Sequence, residues 1–143
     1  MRVFIPATLE DLFLEKVPAR QAVVPEVTLT GAEAVEVADF EATEDASILS
    51  LELLRETEQK PARRVVLAAD VKNPDEVLNG LNWNKVKAIL VDGPEAEPFV
   101  ETVYAAQTQD EADEAVSEVL EYILEWYALE EKKLLQRLVK TEV

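Results

Sequence analysis

With 143 residues the chain has the length of one domain, enough to bury roughly 70% of the surface that its unfolded form would expose. It contains neither cysteine nor histidine, which removes disulfides, thiolate catalysis, the usual zinc and haem ligands, and both Ser-His-Asp and Cys-His arrangements. Its 30 acidic residues against 14 basic ones give a net charge of −16, so phosphate backbones and anionic lipid are repelled and neither nucleic acid nor a membrane is an expected partner.

The chain opens Met1-Arg-Val-Phe-Ile-Pro6 without a long apolar leader, and no run of about 18 apolar residues follows, which reads as a cytoplasmic protein. Residues 2–6 form a short apolar strand that its proline ends. Thr8 then stands three residues before Asp11, a variant of the capping box, and Leu9, Leu12 and Phe13 continue a helical stripe towards Lys16, with Pro18 closing it. Residues 17–43 allow two readings. Gln21-Ala-Val-Val24 suits a strand, and Val27-Thr-Leu-Thr30, Gly31 and the alternating Ala34-Val-Glu-Val-Ala38 suit a hairpin; a helix over 32–38 satisfies the same residues.

From Thr43 the pattern is helical. Thr43 can cap, Glu44 and Asp45 suit the positive end of a helix dipole, and Ile48, Leu51 and Leu54 recur at helical spacing towards Gln59. The apolar run Val65-Val-Leu-Ala-Ala69, with Arg63 and Arg64 before it and Asp70 after it, reads as a central strand covered on both faces. Asn73 caps a short helix with Pro74 at its first position and Gly80 as its stop. Val86-Lys-Ala-Ile-Leu-Val91 repeats the strand pattern and ends in Asp92-Gly93. Phe99, Val100, Val103 and Tyr104 mark a helix of about ten residues. Thr108 and Glu111 form a capping box that opens the longest periodic segment, running through Val116, Leu120, Ile123, Trp126 and Leu134 to Leu138.

These elements predict an α/β domain: a small, three- to four-stranded, mainly parallel sheet flanked by helices, with a long C-terminal helix packed across it or against a second copy. The alternative is an α+β domain with a mixed sheet. In a parallel sheet, ligands bind beyond the carboxyl ends of the strands. Those ends carry Thr8, Asp70 and Asp92, which would converge as an oxygen-ligated Mg²⁺ site or an acid/base pair. The plainer reading makes all three helix caps and turn formers, favoured there by local hydrogen bonding. No phosphate-binding glycine motif, hydrolase motif or calcium loop is present, and the chain has only three glycines. Glu111, Glu114, Glu118, Glu121 and Glu125 would share a helix face, as a metal-binding surface or as a solvated one. Trp126 and Tyr127 suit core packing or a partner contact, and Arg63 and Arg64 suit pairing with local acids.

The stretches Met1-Arg-Val-Phe-Ile-Pro-Ala-Thr8, Pro61-Ala-Arg-Arg-Val-Val-Leu-Ala-Ala-Asp-Val71, Val91-Asp-Gly-Pro-Glu-Ala-Glu-Pro98 and Leu124-Glu-Trp-Tyr-Ala-Leu-Glu130 resemble a family of small acidic actinobacterial proteins of unknown function. The resemblance implies a stand-alone cytoplasmic domain and carries over no substrate or cofactor. Two functions from different classes are expected. The first is a non-enzymatic interaction or regulatory module whose acidic surface meets a protein partner, or a homodimer through the C-terminal helix. The second is a Mg²⁺-assisted enzyme acting on a small anionic, phosphorylated substrate.

Overall fold

The computed structural model describes residues 1–27 and 30–141. Four strands, β1 (Arg2–Ala7), β2 (Val65–Asp70), β3 (Val86–Val91) and β4 (Glu125–Tyr127), form one sheet in the order β1-β2-β3-β4. All three pairings are antiparallel. The mainly parallel sheet expected from the sequence is therefore corrected, and the architecture is α+β.

The chain's path explains the reversal. After β1 it doubles back along the sheet edge, where Val23 pairs antiparallel with Phe4 through two backbone hydrogen bonds of 2.9 and 2.7 Å. The helix α1 (Ala32–Thr57) then returns it to the end where β1 finished. Two traverses between β1 and β2 cancel, so β2 leaves in the opposite direction. Between β2 and β3 lie only 3₁₀ turns, over Pro74–Asn79 and Trp83–Lys85, and no crossover helix intervenes. Between β3 and β4 the helices α2 (Glu97–Ala105) and α3 (Gln109–Val119) run as a pair, again an even number of traverses.

Alternation along the strands divides the sheet into two faces. Ile5, Leu67, Ile89 and Tyr127 stand opposite one another across all four strands, and Pro6, Val66, Leu90 and Trp126 do the same one residue away, on the other face. The first face is covered by Leu12, Val77, Trp83 and Leu135, the last from the helix α4 (Lys132–Thr141). Against the second lies α1, through Ala42 and Ala46 on Phe4, Val66, Ala68 and Ala88. Small residues on both sides allow a close approach. Burying Val65, Val66 and Leu67, all fully buried, stabilises by roughly 1.5–3 kcal/mol each. The pair α2 and α3 packs on the C-terminal half of α1 around Leu51, Leu54, Val100, Val103, Ala115 and Val119.

Several elements differ from their sequence readings. Helix α1 begins at Ala32, so the hairpin arm Ala34–Ala38 is helical, and its proposed partner Val27-Thr-Leu-Thr30 lies partly outside the described residues. Thr43 is no cap: its hydroxyl donates to the Asp39 carbonyl, 2.7 Å away, inside the helix. Only a 3₁₀ turn over Glu10–Phe13 forms after β1. The long C-terminal helix is two helices, α3 and α4, with β4 between them. The Asn73 cap, Pro74 and Gly80 stop occur as read, on a 3₁₀ turn.

Candidate functional site

The antiparallel order separates the residues that a parallel sheet would have gathered. Asp70 ends β2 opposite Arg2, whereas Asp92 follows Val91, the partner of Val65 at the start of β2. The six-residue length of β2 lies between them, roughly 17 Å at about 3.4 Å per residue. Thr8 is at the Asp92 end, one residue beyond the Ala7 that faces Val65. The convergence of Asp70 with Asp92 is therefore not formed.

Each of the three has structural partners. The Thr8 amide donates to the Asp11 carboxylate at 2.9 Å and the Asp11 amide to the Thr8 hydroxyl at 3.3 Å, a reciprocal cap that Arg20 completes with a 2.6 Å bond to Asp11. Asp70 accepts from Arg2 Nε at 2.7 Å on a half-exposed surface. That hydrogen bond, reinforced by the guanidinium charge, holds the Asp70 carboxyl below its usual value and raises Arg2.

Asp92 sits in the most elaborate polar arrangement of the molecule. Its carboxylate accepts from Arg64 Nε at 2.8 Å and Nη2 at 2.7 Å, a two-pronged pair, and from the Arg64 amide at 2.8 Å. The two side chains are 0% and 2% exposed. Arg64 reaches further: Nη1 donates to Ser47 Oγ on α1 at 3.2 Å, and Nη2 to the Tyr122 carbonyl after α3 at 2.9 Å. One side chain thus ties the start of β2 to the end of β3, to α1 and to the segment leading into β4. Arg63 makes a separate, partly buried pair with Glu97, at 3.0 Å. Both arginines pair with acids, as their sequence context suggests, but with distant ones, 28 and 34 residues along the chain.

Beside this pair is a cleft of about 210 Å³, lined by Phe40 and Glu44 of α1, Leu90 of β3, Leu120, Ile123 and Leu124, with Arg64 and Ser47 also reaching it. Its rim holds large apolar side chains in solvent: Phe40 is 60% exposed and Ile123 80%. Trp126, on the same sheet face as Leu90, is 63% exposed, while Tyr127 points the other way onto the core. Of the two aromatics read as core or partner contacts, Tyr127 packs on the core, and core packing is corrected for Trp126 alone. Burial raises the Tyr127 phenol, and the adjacent Glu125 carboxylate, 3.2 Å from its hydroxyl, adds to the shift.

The glutamate face expected along one helix ends with α3: Glu111, Glu114 and Glu118 line a shallow cleft against α2, Glu121 lies beyond the helix, and Glu125 belongs to β4. Sequence reasoning missed the rim of the apolar cleft, because Phe40 sits in an Ala/Glu-rich stretch and Ile123 continues a helical period. The signal was Tyr122-Ile-Leu-Glu-Trp-Tyr127, whose β-branched and aromatic residues also fit a strand.

Among the described residues no helix is long and apolar enough to cross a membrane. No curated protein and no solved structure matches the chain. A family model does match, over residues 1–136, and with nearly the whole chain covered the protein belongs to that family, one of unknown function (DUF6912).

Proposed function

We propose that the protein is a non-enzymatic interaction module whose acidic exterior meets a basic protein partner. One observation carries this reading: large apolar side chains are held in solvent among carboxylates, with Val35, Val37 and Phe40 exposed on α1 between Glu33, Glu36 and Glu41. Exposed apolar groups rimmed by charge are the composition of a protein-binding surface. Support comes from the interior, where the buried polar side chains of Thr8, Ser47, Ser50, Arg64 and Asp92 all have partners within the fold. A second copy carries the same −16 charge, so mutual repulsion favours a partner of opposite sign. The setting that suits this reading is the cytoplasm.

The test is retention of proteins from a native lysate on the immobilised chain. A basic partner is expected to bind at low ionic strength and to elute as salt approaches about 0.5 M, where the screening length shortens to a few ångströms. Repeated absence of any salt-released basic protein overturns the reading.

A further inference from the structure

The two edges of the sheet are unequal. At β1 the outer edge is closed by Val23, which exchanges both backbone bonds with Phe4. At β4 no further strand lies beyond Glu125–Tyr127 among the described residues. An open edge is a template for another strand, yet three residues offer few ladder bonds, so recognition there needs an anchor.

The cleft beside β4 supplies one. Its lining is mostly apolar, and its volume of about 210 Å³ lies below the roughly 300–1,000 Å³ of small-molecule sites, a size for one large side chain rather than a cofactor. The Arg64 guanidinium adds a polar feature: four of its five N–H groups are used, by Asp92 twice, Ser47 and Tyr122. That side chain is itself buried, so its bonds hold the wall of the cleft in place, and recognition falls to the apolar rim and the surrounding charge. Charge sets the partner's sign. Arg55 is the lone basic residue of α1, and none occurs between Lys87 and Lys132, the stretch that contains β4. Glu44 stands on the rim, and Glu121 lies between the rim residues Leu120 and Ile123 in the sequence.

We propose that β4 and this cleft together receive an extended, basic segment of a partner protein, which adds a short strand to the sheet edge and inserts one large apolar side chain between Phe40 and Ile123. This rests on the interaction-module reading and assigns its site.

The experiment selects binders from a random dodecapeptide display library on the intact protein, then measures the selected peptides, made synthetically, against the wild type and against Phe40→Glu and Ile123→Glu. Both positions are exposed, and unchanged thermal melting confirms that the variants fold. Selection is expected to enrich lysine and arginine around a large apolar residue, and each variant is expected to weaken binding at least tenfold. Peptides that bind both variants as tightly as the wild type, acidic consensus sequences, or no enrichment above background would overturn the site. So would a concentration-dependent dimer in sedimentation that Ile123→Glu abolishes, since a second copy then occupies it. The lysate experiment run with Ile123→Glu separates the two ideas: undiminished capture of a basic partner removes the site and leaves the module reading standing, and no capture even by wild type removes the module reading.

Discussion

Arg64 and Asp92 meet where water does not reach, so the worth of each depends on the other. Removing one leaves a buried charge uncompensated, at a typical cost of about 3–5 kcal/mol. Asp92→Ala is therefore expected to lose roughly that much in urea unfolding, and Arg64→Met/Asp92→Leu to regain part of it. Recovery is incomplete because the Arg64 amide loses its carboxylate acceptor. A double variant as unstable as the single one would contradict this coupling. The exposed pair Arg2–Asp70 behaves differently. Its worth is about 0.2–1 kcal/mol, solvent screening included. Because the folded Asp70 carboxyl lies below its usual value, that contribution is present in full above the ordinary aspartate pKa of about 4 and fades as pH falls through the folded value. Asp70→Asn should thus be slightly less stable than wild type at neutral pH and indistinguishable from it in strong acid; a gap that widens on acidification would reverse the sign.

At the scale of elements, α1 depends on small residues. Ala38, Ala42 and Ala46 recur every four positions, continue as Ser50 and Leu54, and are buried. Ala46→Leu should destabilise by about 1–3 kcal/mol through overpacking, read as a lowered urea midpoint. Ser50 bridges the sheet end, donating to the Ala7 carbonyl and accepting from the Val65 amide. This geometry explains what the sequence made legible. The apolar runs Val65–Asp70 and Val86–Val91 stand out because both strands are covered on two faces, and Asn73-Pro74 and Thr108 announce caps that form by local hydrogen bonds. Strand direction was not legible, because it follows from how many times the chain crosses the sheet, and the return past Val23 is a single bridge without a pattern. Nor was the break after Val119. No glycine or proline marks it; Tyr127 is drawn onto the core opposite Ile89, and that tertiary contact overrides the helical period. Of the candidate site, Asp92 and the Arg63-Arg64 doublet stood out as charges flanking strands, but their pairing did not, because it spans 28 residues and, like the cleft, depends on the sheet order.

For the whole molecule, charge and burial pull against each other. A net −16 is self-repelling, so raising sodium chloride from about 10 mM to about 0.5 M should raise the melting temperature as screening relieves more repulsion than attraction. A fall would mean that surface pairs dominate. Val66, fully buried at the centre of the sheet, tolerates no charge, and Val66→Asp should abolish folding; a soluble variant with native melting would disprove its placement. The blocked margin at Val23 has a consequence for stoichiometry. Ribbon-like growth requires two vacant borders per subunit, one to give and one to receive, and here one is already sealed from within. With Val23 at the middle of the far border, copies of this chain lack the second vacant border that head-to-tail stacking would use, and Tyr127 marks the side left for a guest.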